Sequence, residues 1–493
     1  MKNTMQAYKK TSVLLIALVA LLLPNACQKD LLNPAPQSNL SDATAFSTPD
    51  RFVSLLNGIY DAMKNGSFYG SRFIVYGDIR AEEFINETTN NVTGFSVWNH
   101  TVAESNINDV NNLWNSVYFT INSCNIFIEG ADANRAVVGD DTKVNAYIAE
   151  ARFVRAVCYH SLLSLYCRPY ADGNGSQLGV PLRLRAETGP GNNDLARSTV
   201  AQVYTQILQD LDFAEQNLLS TQGTALLNTT RAHKNSAIAF KTRVYLNMQR
   251  YGDVITEANK IVPATAPFKA ASGVAHELQA NVKNVFSTPY TTTESIFSMP
   301  FTSNDLPGTQ NGLGSYYNPG PRGIGDYSIN KAGIIGDSVN FTVADARRQF
   351  VFFNMPTNKL YLNKFPAGAE HLDYAPVIRY AEVLLNLAEA EARVNGLSQR
   401  SVDLLNAVHG RSDAATIYDL AGFASDAALI SQLLTERRIE LFGEGFRNQD
   451  CQRLLSPLPG KANIAAIDAS SPAYIWPIPS GERAANLLCE PNP

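Results

Sequence analysis

Apolar side chains recur every 3.6 residues in several separate stretches of this chain, and the stretches come in pairs. In Asn145–Tyr166, Phe153, Val154, Val157, Cys158, Leu162, Leu165 and Tyr166 fall on one face. Val200–Leu219 does the same with Val203, Ile207, Leu211, Ala214 and Leu218, and Ser198-Thr199 offers its N-cap. Ala232–Met248 is followed at once by Tyr251–Val262, where Tyr251, Val254, Ala258 and Ile261 follow the pattern of the second helix of a tetratricopeptide hairpin. Pro376–Arg393 and Val402–Val408 form another pair across Asn395-Gly396, and a last helix is predicted near Leu433–Phe442. A helix striped on one face must bury that face. Pairs joined by short breaks therefore predict stacked hairpins with a continuous core. The fold class is mainly α, tetratricopeptide-like helical hairpins, with long irregular loop insertions and few short strands. Ser295–Phe301 is the best strand candidate.

Two stretches carry no period. Pro300–Gly325 is rich in Pro and Gly, and Asn86–Asn115 is rich in Asn. Long aperiodic loops held by a rigid scaffold are where function concentrates. Charged residues are 17% of the chain, below the roughly 25% of an average soluble protein. The balance of 40 basic and 45 acidic side chains gives a net charge of -5. No basic face for a phosphate backbone is implied, so nucleic acid is excluded as a partner. Asn, Thr, Ser, Gly and 21 Tyr fill the surface instead, which suits an uncharged polar ligand.

The first residues read as an address. Lys2, Lys9 and Lys10 precede the apolar run Val13–Leu23, then Pro24-Asn25-Ala26-Cys27. The run is too short to span a bilayer, which takes about 20 apolar residues. A small residue directly before Cys resembles a bacterial lipoprotein signal, with Cys27 as the acylated residue. Removing residues 1–26 takes away three Lys and no acid, which leaves a charge of -8. Residues 27–40 contain Asn33-Pro34-Ala35-Pro36-Gln37-Ser38 and read as an extended tether.

Candidate chemistry is sparse. Glu440 and Glu444 lie one helical turn apart, which would allow a glycosidase-like carboxylate pair. Arg437, Arg438 and Arg447 surround them, so a structural ion-pair network is the better reading. Asp172-Gly173-Asn174-Gly175-Ser176 imitates half of a calcium loop, but Gln177 and Arg183 stand where Gly and Glu are needed, so it reads as a turn. The six His show no zinc spacing, and there is neither a nucleophile elbow nor a phosphate loop. No cofactor, metal or catalytic residue is assigned. The Cys apart from Cys27 read as small buried hydrophobes. A sugar presents apolar C–H faces and a rim of hydroxyls, which aromatic planes and Asn, Asp, Arg and Gln match. Trp98, in the Asn-rich loop, is the leading ring platform, followed by Tyr316 and Tyr317 in the Gly-rich loop and then Tyr327, Phe68, Tyr69 and Arg72. Trp114 and Trp476 read as structural.

The order of motifs resembles the SusD/RagB family of nutrient-binding lipoproteins. The blocks are Leu56-Asn57-Gly58-Ile59-Tyr60, Tyr76–Glu83, Asn112–Tyr118 with Asn122 and Asn125, and Ala149–Ala156 followed by Tyr159. Later come Glu436-Arg437-Arg438-Ile439-Glu440-Leu441, Glu444-Gly445, Arg447, Asp450 and Trp476-Pro477-Ile478-Pro479. His409, Phe446 and Asn448-Gln449 depart from the pattern. The resemblance implies a division into signal 1–26, tether 27–40, an N-terminal region 41–265 with helical hairpins and a C-terminal region 266–493 with ligand-facing loops. It implies a lipid-anchored outer-membrane protein facing the cell exterior, which passes a glycan to a SusC-like TonB-dependent transporter on which it sits as a lid. Peptide cargo, as for a RagB-like protein, and a surface glycoside hydrolase are the alternatives. Cys27→Ala is expected to abolish incorporation of labelled palmitate; undiminished label would move the anchor elsewhere.

Overall fold

The computed structural model describes residues 44–189, 191 and 193–492. The export signal, Cys27 and the tether 27–40 lie outside them. The helices that organise the fold are α1 (Pro49–Met63), α2 (Arg72–Ile79), α3 (Asn112–Ala133), α4 (Asp141–Tyr166), α5 (Val200–Asn217), α6 (Lys234–Asn247), α7 (Tyr251–Ala258), α8 (Tyr380–Asn395), α9 (Gln399–His409), α10 (Asp426–Glu440) and α11 (Arg447–Arg453). From α3 to α9 each packs on the next, so the chain winds as one helical stack. The periodic stripes are the buried faces of this stack. Its main core draws on residues from Phe52 to Cys489, and Cys451, Leu458, Tyr474 and Ile475 form a small separate cluster. No helix among the described residues is long and apolar enough to cross a membrane.

Local chemistry explains the helix starts. The Asp140 side chain accepts the Lys143 N–H at 3.1 Å and opens α4. Thr199 opens α5 with a reciprocal capping box: its hydroxyl accepts the Gln202 N–H at 3.2 Å, while the Gln202 side chain accepts the Thr199 N–H at 2.8 Å. Ser425 accepts the Ala428 N–H at 3.2 Å and opens α10, seven residues before the predicted start.

Among the described residues the strands are β1 (Phe84–Asn86), β2 (Leu178–Pro181), β3 (Arg197–Thr199), β4 (Ser295–Met299), β5 (Tyr327–Ile329), β6 (Val351–Asn354), β7 (Lys359–Leu362) and β8 (Ala375–Arg379). They form antiparallel pairs β1–β5, β2–β3, β4–β8 and β6–β7. Pro376–Arg379 was predicted as the start of a helix and is instead strand. Ala375 opposes Met299 and Arg379 opposes Ser295, and the helix begins only at Tyr380. The strand edge of β4, 84 positions away at Ser295 opposite Arg379, overrides the local helical period.

A buried charge cluster ties the C-terminal half together. Arg379, 2% exposed, reaches Glu294 at 2.8 Å, Glu440 at 2.5 Å and Glu444 at 2.8 Å. Lys364 binds Glu444 at 2.7 Å, and Arg347 binds Glu440 at 3.0 Å and Asp345 at 2.7 Å. Arg411 pairs with Glu294 and Glu440, and His409 meets Glu436 at 2.9 Å. A second cluster joins Arg453 to Glu389 at 2.7 Å and to Asp450 at 2.8 Å, with Arg437 on the far side of Asp450 at 3.2 Å. Breaking such a buried pair strands a charge, so Arg379→Ala is expected to cost about 3–5 kcal/mol in denaturant unfolding. Burial alone would raise the Asp450 carboxyl; Arg437 and Arg453 overcome it and bring it down to about 2. That is below the ~3.9 of an unfolded Asp, so its contribution is complete above about pH 4 and lost as pH falls toward 2. Asp450→Asn should flatten the acid limb of stability in that window; an unchanged slope would contradict the pairing.

Candidate functional site

The two aperiodic loops fold onto each other, and the aromatics predicted as ligand platforms lie in the seam between them. Trp98 ends the short helix Phe95–Trp98; it is 6% exposed, and its indole N–H donates to the Phe84 carbonyl at 2.8 Å. Tyr317 packs on the Phe84 ring, with centroids 4.9 Å apart. The Tyr316 hydroxyl donates to the Gln310 carbonyl at 2.7 Å, and that of Tyr327 donates to the Thr93 carbonyl at 2.8 Å. Arg72 opens α2 and donates to Asn311 Oδ1 and to the Asn108 carbonyl, both at 2.8 Å. Phe68 and Tyr69 pack on each other, with ring centroids 4.9 Å apart, and both are buried.

The structure therefore brings Trp98, Tyr316, Tyr317, Tyr327 and Arg72 to one place but turns none of them outward. As placed they pack beneath the loops, and none presents an open face to solvent. The physical reason lies in the loops themselves. Long irregular backbone leaves carbonyls without ladder partners, and a buried Tyr or Trp supplies apolar area together with one donor at its tip. Trp114 and Trp476 are buried as expected.

A cleft of about 480 Å³ with several polar groups in its wall opens between α1, the short helix Ala225–Thr230 and the start of the Gly/Pro-rich loop. Asn57 and Asp61 come from α1 and Lys64 from its C-cap, Thr230 and Arg231 from the second wall, and Asp305 from the loop. Lys64 pairs with Asp305 and lies 3.6 Å from Asp61. Arg231 is held from behind by Glu150 through bonds of 3.0 and 2.7 Å. Tyr60 donates to the same carboxylate at 2.6 Å. Burial, then the Glu150 charge, push the Tyr60 phenol far above its usual range and keep it a donor. Each cation in the wall has an acid partner, so the cleft offers hydrogen bonds without a dominant sign. The sequence reading missed these residues. Lys64 and Asp305 are 241 positions apart, and neither lies in a recognisable motif.

Glu440 and Glu444, the pair singled out from the sequence, do not face the cleft. Glu440 and Glu444 are 1% and 5% exposed. Burial would raise both carboxyls, but the surrounding cations hold Glu440 well below and Glu444 below the usual range. The ion-pair reading of these two acids is correct, but the cations differ from those expected. Arg347, Arg379, Arg411 and Lys364 hold them, whereas Arg437 binds Asp450 and both Arg438 and Arg447 bind Glu82. In the calcium-like segment Asp172 accepts from Arg168 at 2.6 Å within a run of turns. No group of three His, Cys, Asp or Glu suited to a metal occurs among the described residues. Cys124, Cys158, Cys167, Cys451 and Cys489 are buried thiols.

Comparison with known proteins places this architecture. A family model described as starch-binding associating with outer membrane matches residues 30–246, and the SusD family model matches residues 342–492. A SusD-like protein P2 of Formosa agariphila is 25% identical over 97% of this chain and 98% of its own length. The crystal structure of a SusD superfamily protein from Bacteroides fragilis superposes with a TM-score of 0.80 at 32% identity, covering 90% of this chain and all of that one. A SusD superfamily structure from Bacteroides thetaiotaomicron gives 0.79 at 25% identity, covering 90% of this chain and all of that one. With the helical stack, the loop seam and these matches together, the chain belongs to the SusD family.

Proposed function

We propose that this protein is a non-catalytic capture protein for carbohydrate, anchored through Cys27 to the outer membrane and facing the cell exterior. The cargo is an uncharged oligosaccharide or polysaccharide, held at the polar cleft and handed to a SusC-like TonB-dependent transporter, on which the protein sits as a lid. The observation that carries this reading is the cleft's balanced charge, in a chain whose N-terminal half matches a family described as starch-binding. A neutral polyhydroxylated ligand can bond Asn57, Asp61, Thr230 and Asp305 without leaving a lining charge unpaired. A strongly acidic or basic ligand would have to break Lys64 or Arg231 away from its partner. The burial of Glu440 and Glu444 supports capture without cleavage.

The test is incubation of the purified chain with a panel of polysaccharides and peptides. Retention of a neutral glycan without new reducing ends is expected. Retention of peptides alone would favour peptide cargo, and new reducing ends would favour hydrolysis; either result would overturn the proposal. Asp305→Ala is expected to weaken glycan binding about tenfold, with the fold unchanged. Trp98→Ala should act differently, costing about 3–5 kcal/mol of stability through the cavity it leaves.

A further inference from the structure

The cleft does not end at α1. On the other flank of this helix lies a second cavity of about 370 Å³, lined by Leu55 and Ile59 of α1, by Phe119, Ile126 and Phe127 of α3, and by Phe46. The two cavities share Gly58 and Asp61. Their chemistry differs. The first sets hydrogen-bonding groups beside Leu227 and Pro300, whereas the second is mostly apolar. Phe119 is 67% exposed and Ile126 40% exposed, although Phe127 and Ile59 beside them are buried. A ring on a rigid helix with most of its surface in water is a ready face for stacking. It is the kind of exposed platform that Trp98 and the loop tyrosines do not supply.

Gly58 connects the two cavities. The solvent stripe of α1 is Ser54, Asn57, Gly58 and Asp61, the one-turn spacing of a single helix face. A glycine inside a helix costs about 1 kcal/mol relative to alanine. Nothing in the packing calls for it here, because a Cβ at this position would meet no atom within 4 Å. Its φ is not among the positive ones either. What the missing side chain does provide is a low saddle in the ridge between the cavities.

We infer that Phe119 is an aromatic platform of a second glycan subsite, and that a neutral oligosaccharide lies across α1 at Gly58. One end bonds the polar cleft, and a sugar further along rests its C–H face on Phe119. This rests on the capture function proposed above and narrows it. The helix to be crossed is about 10 Å wide with its side chains, so the cargo is an extended chain of several sugars, not a mono- or disaccharide. The occupant follows from the continuity of the trough with the cleft. One ligand that alternates hydroxyl rims with apolar faces satisfies both cavities.

The test is calorimetric titration of the full chain with neutral gluco-oligosaccharides, α- and β-linked, in a length series from the disaccharide upward. Affinity is expected to rise with length and then level off. Phe119→Ala should remove most of that rise, lowering affinity for the longest chains about tenfold. Gly58→Leu fills the saddle with a better helix former and should have a similar effect on long chains. Because Phe119 is exposed and Gly58 has open space above it, both variants should melt no lower than the unaltered chain, which separates lost contact from lost fold. If the unaltered chain binds long and short glycans equally, or both variants keep full long-chain affinity, the second subsite is wrong while capture stands. If the unaltered chain binds none of them, this inference falls, and the broader glycan panel decides whether capture falls with it. Loss of transporter co-purification in the variants with glycan affinity intact would make the trough a protein interface and overturn the inference.

Discussion

The carboxylates of Glu440 and Glu444 sit where the C-terminal half of the chain converges. Glu440 ends α10, Arg379 ends β8, Arg411 follows α9, and Lys364 and Arg347 come from the strand-rich segment before them. Four other stretches of the chain are thus pinned to two side chains. The charges are almost completely removed from water, so each is tolerated only while its partners are in place. Moving any one of these segments would strand a charge. This all-or-none property gives the irregular second half the definition that the helical half obtains from its stripes.

The loop seam follows from that fixed frame. β5 pairs with β1, and Arg438 and Arg447 reach Glu82 and Glu83 beside β1. The Gly/Pro-rich loop is thereby brought against the Asn-rich loop. Trp98, Tyr317 and Phe84 then fill the space between them, and Arg72 stitches both loops to α2. The loops' large aromatics are spent on making the junction solid. The surfaces left for a ligand are those of α1 and its neighbours, where small and polar residues face outward and Phe119 stands clear of the core.

Some of this was legible from residues alone, because its causes are local. The Thr199 cap and the stripe of α5 need only neighbours within a turn or two. The pairing of α6 with α7 needs only a short break. The identity of Glu440 as an ion-paired acid was legible from the density of arginines around it. The arginines that hold it were not, since Arg437 and Arg438 on the same helix point to other acids while Arg379 and Arg411 arrive from elsewhere. Pro376–Arg379 was misread for the same reason. Its helical-looking period is real, but the strand edge of β4 is visible only once the chain has folded.

By itself, then, the sequence determined the fold class, the helical stack with its buried stripes, and the order of motifs that marks the family, all of which are set by periodicity and short-range capping. The tertiary structure alone decided which aromatic faces water. Burial depends on what packs over a side chain, and the Trp98 ring is covered in part by Lys461 from the far C-terminal part of the chain. The same holds for the cleft, whose Lys64 and Asp305 become neighbours only when α1 meets the Gly/Pro-rich loop. A ring's chemistry is written in its residue type, but its role is set by long-range contacts that no local pattern encodes.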